Sequence, residues 1–372
     1  MSVLFIGKRF YTNRDALKDR YGRIWQMPWH WAQSGIPTRL WLVDYHTRRS
    51  VREMSGALDI LSTPVQNLSV FRQWVKELRP SDHKVDVVVA SGDCYIGLMG
   101  RQIARRLRSR FVFDVYDKYD EFAGYKRLPG FDPFRFLLRH ADARLFASRA
   151  LMERIGVGAT HDLFVPNGID LSHFHPRDMY TSRACFDIPA DSVCVGYFGS
   201  MTPDRGVEDL VAAVAVMRQS GLNVDLVLAG QRYGQASWNE PWIRYLGNLP
   251  YDQVPTAMAC CDVLTLPYRH SDYLDMASSC KIAEYIAMQR PLAVTDTPNF
   301  SMNFPEQAAS LGSYMARPGA PYDLARAIAL QLENRRSVSM PEGFSWESIA
   351  GRLVGQLELH ASAAAHCRQT NV

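Results

Sequence analysis

A lysine and a glutamate stand near the start of a predicted helix that is otherwise apolar. The segment 271–296 runs from a polar loop through small residues into this helix and then into a short strand. Ser278, Ser279 and Cys280 lie at the helix start, where backbone N–H groups bind anions and serines act as caps. Lys281 adds a cation to the positive helix end, which costs about a few tenths of a kcal/mol. An unfavourable local choice of this kind is expected at a functional site.

Glu284 lies one helical turn beyond Lys281 and can accept hydrogen bonds from two neighbouring hydroxyl groups. Together the two residues predict a site for an anion and a sugar. In the alternative interpretation Glu284 is a surface residue of an amphipathic helix, since its apolar neighbours in the sequence leave it on the polar side.

Two more loops, each directly after a predicted strand, contain residues of types that can bind anions. In "YFGSMTPDRGVEDL", Gly199 ends a strand and Arg205 precedes a helix that begins near Gly206. In "LVLAGQRYG", Gln231 and Arg232 follow the next strand. Exposed helix starts and the carboxyl ends of parallel strands are usual ligand sites. Neither loop is a P-loop or a dinucleotide-binding fingerprint, and an ordinary surface turn is the alternative for each.

Three aspartates recur around the end of a strand predicted at 111–117. Asp117 and Asp120 are the candidate catalytic carboxylates, as a general base or as holders of a sugar hydroxyl, whereas Asp114 is expected to point into the fold. A helix cap or loop turn is the alternative for Asp117. Because the chain contains no Asp-x-Asp and no Cys-x-x-Cys, the sequence predicts neither a bound metal nor another cofactor.

These candidate residues are positioned by short apolar strands that alternate with amphipathic helices. Strands of this kind predict parallel sheets covered on both faces, here as two doubly wound, Rossmann-like α/β domains that face a cleft. An irregular polar stretch at 169–191 separates the two series. The predicted domains are 1–180, 181–345 and a terminal helix, 346–372, that crosses back towards the first domain.

The 372 residues carry an uneven distribution of charge. Residues 1–180 hold 28 Lys and Arg against 19 Asp and Glu, whereas residues 181–372 hold 14 against 19. We therefore expect the first domain to meet an anionic surface, such as a membrane, through cations that cluster near aromatic residues. In the alternative interpretation the uneven charge arises by chance and these cations simply face solvent. These cations are Lys8, Arg9, Arg14, Lys18, Arg20 and Arg23.

Other classes of protein are disfavoured by the composition. No nucleic-acid recognition motif occurs in the basic half, and no apolar run is long enough to span a membrane. The start of the chain lacks the features of a signal peptide, and the seven cysteines form no pattern, which predicts a cytoplasmic protein with reduced thiols. A helix predicted after the basic N-terminal loop carries three tryptophans, Trp25, Trp29 and Trp31. At least one of them is expected in the core.

In their order and spacing, these segments resemble the GT-B glycosyltransferases, and among them glycosyltransferase family four (group 1). The resemblance covers residues 85–372 and is diffuse over 8–84. It is carried by "VGYFGSMTPDRGVEDLVAA", "WIRYLGNLPYDQVPTAMACCDVLTLPY" and "SSCKIAEYIAMQRPLAVTD" in the second half. In the first half, "VFDVYDKYDEFAGY" and "FVPNGIDLSHF" are similar to a branch that acts in bacterial polysaccharide assembly.

The resemblance implies roles for individual residues. Ser200 stands where the family usually has a diphosphate-binding arginine, and Arg205 where it has a lysine. Glu284 matches the second member of the family's Glu-x7-Glu pair, which contacts ribose. The first member is replaced by Met276, and the neighbouring Asp275 is its possible substitute. Gly7, at the end of the first strand, joins the expected donor-binding residues.

The implied activity is transfer of a hexose from a nucleoside diphosphate sugar. The implied acceptor is a saccharide or a polyprenyl-diphosphate-linked saccharide, and the reaction would retain anomeric configuration without a metal. Two alternatives stay open at this point: a sugar-nucleotide epimerase on the same fold, and a non-catalytic partner subunit of an assembly complex.

Overall fold

The chain folds into two compact units. The structure, a computed structural model, describes residues 1–11, 14–79, 84–122, 124–127, 129–158, 161–233 and 238–369. Unit 1 comprises Met1–Gly168 and Gly343–Val372, and unit 2 comprises Ile169–Glu342. The chain therefore leaves unit 1 at Gly168, about a dozen residues before the boundary expected from the sequence, and returns to it just before the terminal helix.

The strands and helices alternate over most of the described chain. The strands are β1 (Val3–Lys8), β2 (Phe10–Tyr11), β3 (Arg14–Asp15), β4 (Thr38–Asp44), β5 (Val51–Ser55), β6 (Leu58–Pro64), β7 (Val87–Ser91), β8 (Arg110–Val115), β9 (Ala143–Phe146), β10 (Asp162–Phe164), β11 (Val193–Phe198), β12 (Val224–Ala229), β13 (Ile243–Tyr245), β14 (Val263–Leu266), β15 (Leu292–Thr295) and β16 (Met315–Ala316).

The helices are α1 (Ala16–Asp19), α2 (Gly22–Gln33), α3 (Ser69–Glu77), α4 (Cys94–Leu107), α5 (Pro133–His140), α6 (Arg149–Ile155), α7 (Met179–Ala184), α8 (Val207–Gln219), α9 (Val254–Ala259), α10 (Asp272–Met276), α11 (Cys280–Ala287), α12 (Pro298–Ser301), α13 (Pro305–Leu311), α14 (Pro321–Asn334) and α15 (Trp346–Gln369).

Unit 1 contains an eight-stranded sheet in the order β10-β9-β8-β7-β1-β4-β6-β5. All neighbouring strands are parallel except β5, which runs antiparallel to β6 at the edge. The predicted parallel sheet thus carries one antiparallel strand at its edge. The two residues Gly56 and Ala57 separate β5 from β6, and a connection this short can join antiparallel strands alone. Gly56 adopts the positive φ of +54° that such a turn requires.

Unit 2 contains a six-stranded sheet in the order β13-β12-β11-β14-β15-β16, with every neighbouring pair parallel. Its central strands are almost entirely buried, as their continuous apolar sequences predict. The predicted architecture of two α/β parallel-sheet domains is confirmed. Because parallel strands end at one edge of a sheet, the loops after β11, β12 and β14 are brought together.

The terminal helix α15 belongs to unit 1, where it packs on α2. Trp31 of α2 is 1% exposed, and its indole N–H donates to the carbonyl oxygen of Ala350 at 2.9 Å. Trp25 is also buried, and Trp29 packs against the same core. The expectation that tryptophans of this helix contribute to the core is confirmed.

Two of the six cations assigned to the basic surface are buried instead. Arg9 is 4% exposed and contacts Asp15 at 2.9 Å and Asp44 at 3.0 Å. Arg23 is 1% exposed and binds both carboxylate oxygens of Asp114 at 2.8 and 3.0 Å. Buried guanidinium groups need such partners because desolvation of an unpaired charge is costly. The same contact confirms that Asp114 points into the fold.

Three observations concern membrane spans, metals and cysteines, each within the described part of the chain. No helix there is long and apolar enough to cross a bilayer. No three His, Cys, Asp or Glu side chains are grouped there as metal ligands. Six of the seven cysteines are free thiols, and Cys367 lies outside the described side chains.

Candidate functional site

The loops after β11 and β12 run side by side at the carboxyl edge of the unit 2 sheet. The N–H of Gly199 donates to Ala229 O at 2.7 Å, and the N–H of Met201 donates to Gln231 O at 2.9 Å. These bonds extend the pairing of the two strands by several residues. They place the backbone of Ser200 beside that of Gln231, as the sequence predicts for two donor-binding loops.

Lys281 lies directly against the glycine of the first loop. A Cβ atom built on Gly199 would lie 1.8 Å from Lys281 Cε and 2.7 Å from its Nζ. Gly199 also has φ +152°, in a region that favours glycine. A side chain at position 199 would therefore displace the lysine. Lys281 is half-buried, and none of the described carboxylates forms an ion pair with it.

Arg205 ends the short 3₁₀ turn Pro203–Arg205, immediately before α8. Gly206 then caps the helix with φ +65°, and any Cβ there would lie 1.8 Å from the carbonyl oxygen of Pro267. Glycine is thus required at position 206 for two reasons: the backbone conformation has a positive φ, and the chain segment that follows β14 passes too close for a side chain. That approach brings Tyr268 under the guanidinium group, whose Cζ is 5.0 Å from the ring centroid.

The guanidinium group of Arg205 lacks the partners that other buried arginines have. Its Nε and Nη1 are buried, and no hydrogen-bond acceptor among the described residues reaches either atom. Burial lowers the pKa of Arg205, but Tyr268, Tyr197 and Asp204 raise it by more, so the group stays a cation. A buried cation with unsatisfied donors is costly unless an anion binds it. Arg205 therefore indicates an anion-binding site.

Tyr268 connects Arg205 to the start of α11. It is 1% exposed, and its hydroxyl oxygen lies 3.1 Å from Ser279 Oγ. Ser279 is the N-cap residue of α11, as the sequence predicts, but its side chain makes no capping hydrogen bond. The hydroxyl of Ser279 is engaged by the tyrosine instead. The half-buried Ser278 and Cys280 flank it on either side.

The contacts therefore link Ser200, Arg205, Ser279 and Lys281 around Gly199 and Tyr268 at one edge of the sheet. The tyrosine was not among the residues selected from the sequence. Its position directly after β14 was a usable indication, because ligands bind at strand ends, but an aromatic residue there is more often part of the core.

Glu284 is 9% exposed, so its interpretation as a surface residue of α11 is wrong. The helix is fixed by the next residue, because Tyr285 Oη accepts a hydrogen bond from the N–H of Phe198 at 2.7 Å. This bond ties α11 to the end of β11. Lys281 and Glu284 are three residues apart and so lie on neighbouring positions of one helix face.

The other predicted donor-site residues of unit 2 are less enclosed. Gln231 and Arg232 are exposed, and the Arg232 guanidinium lies 4.0 Å from the ring centroid of Tyr245. Asp275 belongs to α10, where its Oδ2 lies 3.0 Å from His270 Nδ1. Met276 is 9% exposed and faces the interior. No contact joins Asp275 to Arg205 or Lys281 among the described residues.

The candidate residues of unit 1 lie near the carboxyl ends of β1 and β8, the two strands on either side of β7. Gly7 is in β1, and a Cβ there would lie 2.5 Å from Ile24 Cγ2, so close packing on α2 is a sufficient reason for glycine. The strand predicted at 111–117 ends earlier, at Val115. Asp117 lies two residues beyond it and is half-buried, and it accepts the N–H of Lys118 at 2.9 Å.

Asp120 differs from Asp117 in its contacts with cations. It lies in the 3₁₀ turn Tyr119–Glu121, with Oδ1 3.7 Å from Lys118 Nζ and Oδ2 3.3 Å from Arg127 Nη2. Both contacts hold the carboxylate in one orientation. Asp120 Oδ1 is nevertheless buried without a hydrogen-bond partner among the described residues, so these ion pairs do not satisfy the whole carboxylate.

Residues 192–334 match the family model described as glycosyl transferases group 1. None of the curated proteins matches the sequence significantly. The matched range begins at β11 and ends with α14, so it contains every candidate donor-site residue of unit 2.

Solved structures resemble the chain over nearly its full length. Sucrose-phosphate synthase from Thermosynechococcus elongatus has a TM-score of 0.70 at 16% identity, covering 98% of this chain and 100% of that one. Anabaena Alr3699/HepE in complex with UDP has a TM-score of 0.64 at 15% identity, with 99% and 100% covered. The catalytic domain of Arabidopsis thaliana starch synthase IV bound to ADP and acarbose has a TM-score of 0.69 at 11% identity, with 97% and 99% covered. At these identities the likeness shows the fold alone.

Proposed function

We propose that this chain, a GT-B glycosyltransferase whose residues 192–334 form a group 1 domain, transfers a hexose from a nucleoside diphosphate sugar to a saccharide or lipid-linked acceptor. The observation that carries the proposal is the buried guanidinium of Arg205, with two unsatisfied nitrogens, in the same group of contacts as Lys281. A diphosphate supplies both the charge and the acceptor oxygens that these groups lack.

The two cations also suit the chemistry of the leaving group. Charge develops on the diphosphate as the bond to the sugar breaks, and fixed cations stabilise that charge in the transition state. The proposed donor class is also supported by the similar solved structures, which include complexes with UDP, UDP-glucose and ADP. We propose that the reaction needs no metal, retains anomeric configuration and serves the assembly of a bacterial surface polysaccharide.

A panel of UDP-, GDP- and ADP-sugars tests the proposal by thermal unfolding. A ligand present at a hundred times its Kd adds about 2.7 kcal/mol to the free energy of unfolding, which raises Tm measurably. We expect one nucleotide series to raise Tm, and that donor to release free nucleotide when an acceptor is added. A chain that no nucleotide stabilises, even at saturating concentration, would contradict the proposed function.

Glu284 is expected to bind the ribose of the donor. Glu284→Gln should weaken donor and free nucleoside diphosphate alike, by about 10- to 100-fold, because hydrogen bonds to a charged group contribute about 1.5–3 kcal/mol. Calorimetry measures both affinities, and Glu306→Gln, an exposed glutamate of α13, is the control.

The assignment to ribose can be tested separately with deoxyribose nucleotides. If Glu284 binds a ribose hydroxyl, removal of that hydroxyl should weaken binding to the parent protein but have little further effect on Glu284→Gln. This non-additivity is expected only for groups in contact. Unchanged nucleotide affinity in Glu284→Gln would remove the residue from the site.

Tyr268 is expected to orient Arg205 without contacting the reacting atoms. Tyr268→Phe keeps the ring beneath the guanidinium group, whereas Tyr268→Leu removes it, and a cation–π contact contributes about 0.5–2 kcal/mol. We therefore expect kcat/KM to fall only slightly in the phenylalanine variant and about tenfold in the leucine variant. Equal losses in both variants, after correction for stability, would assign the effect to the hydroxyl contact with Ser279.

A further inference from the structure

Helix α3 and the residue before it expose large apolar side chains. No residue of α3 is buried, Phe71 is 56% exposed and Leu68 is 66% exposed. Leu68 also has φ +61°, a left-handed conformation that is unusual for a bulky residue. Adjacent exposed apolar side chains are typical of an interaction surface.

The edge strand β5 contributes to the same side of the sheet. Met54 is 64% exposed and stands opposite Asp59 in the antiparallel register, and residues paired in this way project from one face. Asp59 contacts Arg39 at 2.9 Å, and Arg39 reaches Glu77 of α3 at 3.4 Å. Met54 therefore lies on the side of the sheet that α3 covers.

Arg48 joins this side from the loop before β5. Its Nε donates to Gln66 Oε1 at 3.1 Å, and its carbonyl oxygen accepts from Asn67 Nδ2 at 3.0 Å, so it lies beside Leu68. We use the name α3 surface for Met54, Leu68 and Phe71 together with the exposed cations Arg48, Arg72 and Lys76.

The charge of the α3 surface is positive and unneutralised. Arg72 and Lys76 have no carboxylate partner among the described residues, and Arg48 contacts an amide side chain alone. Asp59 and Glu77 both contact Arg39, and Asp59 also lies 3.5 Å from Arg52. Exposed apolar side chains thus lie beside cations that have no carboxylate partner among the described residues, which is the pattern of helices that lie in a membrane interface.

We propose that the α3 surface docks unit 1 on an anionic lipid bilayer, with Leu68 and Phe71 entering the interface and the cations meeting lipid phosphates. The nine residues of α3 are far too few to span a bilayer, so the helix lies along it. A second copy of the chain fits less well, because a symmetric contact would bring like charges together. The inference does not depend on the proposed transfer reaction.

Co-sedimentation of the full chain with phospholipid vesicles tests the proposal. We expect binding to phosphatidylcholine vesicles that contain phosphatidylglycerol, weak binding to phosphatidylcholine alone, and a decrease with added salt. Arg72→Gln with Lys76→Gln should weaken binding about tenfold or more, since each cation near the surface contributes about 1 kcal/mol. Leu68→Asn with Phe71→Gln should weaken it several-fold, and asparagine tolerates the left-handed backbone at position 68.

The controls are placed on other exposed surfaces. Arg139→Gln with Arg154→Gln removes two exposed cations of α5 and α6, and Tyr322→Gln removes a residue of unit 2 that is 76% exposed. Both should bind vesicles like the parent protein. The proposal would be overturned by equal binding to neutral vesicles, by no binding at low salt, or by equal losses in the control variants. It would also be overturned if light scattering showed a dimer that Leu68→Asn with Phe71→Gln dissociates. Activity on soluble substrates should be unchanged throughout, which separates this test from that of the proposed function.

Discussion

Replacement of Arg205 by methionine should remove most of the activity while leaving the fold as stable as before, or more stable. The side chain of methionine can still cover Tyr268, but it carries no charge for the diphosphate. Loss of one donor that stabilises transition-state charge lowers kcat by about 10²-fold or more. The free energy of unfolding should not fall, because a buried guanidinium with two unsatisfied nitrogens contributes little to stability. Steady-state kinetics and chemical denaturation measure the two effects.

Arg183 is the matched control for this prediction. Arg183 is 3% exposed, whereas Arg205 is half-buried with two buried nitrogens, and Arg183 contacts Asp262 at 2.8 Å, Cys260 O at 3.0 Å and Ala190 O at 2.6 Å. Arg183→Met should therefore cost about 3–5 kcal/mol, the usual effect of breaking a buried ion pair. A similar loss of stability in Arg205→Met would mean that Arg205 has a structural role, and the anion site would lose its main support.

Lys281→Met is expected to lower activity without lowering stability, as Arg205→Met does. Its side chain lies against Gly199, and a cation in the first turn of α11 is unfavourable for the helix by about a few tenths of a kcal/mol. Turnover should fall with no loss of stability. Because the proposed cations belong to the protein, activity of the parent chain should persist in EDTA. Loss of activity on chelation, restored by Mg²⁺ or Mn²⁺, would contradict a metal-independent reaction.

The parts of the fold and site that could be predicted depend on local sequence. Continuous apolar strands separated by helices are a sufficient signal for two parallel sheets, and the ends of those strands locate the loops. Lys281 was recognisable because a cation at a helix start is locally unfavourable. Gly199 and Arg205 were recognisable from their place between a strand and a helix.

The parts that could not be predicted depend on contacts between distant residues. Arg9 and Arg23 look like surface cations in the sequence, but their partners Asp44 and Asp114 are 35 and 91 residues away. The burial of Glu284 likewise depends on how α11 is attached to β11 through Tyr285. Periodicity along one helix does not show which neighbours cover it.

Asp117→Asn is expected to lower kcat by about 10²-fold or more while leaving donor affinity nearly intact. This is the usual effect of losing an acid–base group, and all proposed donor contacts other than Gly7 belong to unit 2. Asp117 is half-buried just beyond the carboxyl end of β8, the edge at which α/β sheets bind ligands. Asparagine keeps the shape of the side chain and can still accept the N–H of Lys118. Calorimetry for the donor and steady-state kinetics with a saturating acceptor separate the two effects.

Asp120→Asn is the comparison that decides between the two carboxylates. The ion pairs of Asp120 with Lys118 and Arg127 are partly exposed, so their loss should cost no more than about 1 kcal/mol and change kcat by a few-fold at most. If Asp120→Asn were inactive while Asp117→Asn kept its turnover, the roles would be reversed, and the two cations would serve to keep a catalytic carboxylate charged. If both variants were active, neither carboxylate would take part in proton transfer. The search for a catalytic group would then turn to residues 8–84, where the resemblance to the family is diffuse.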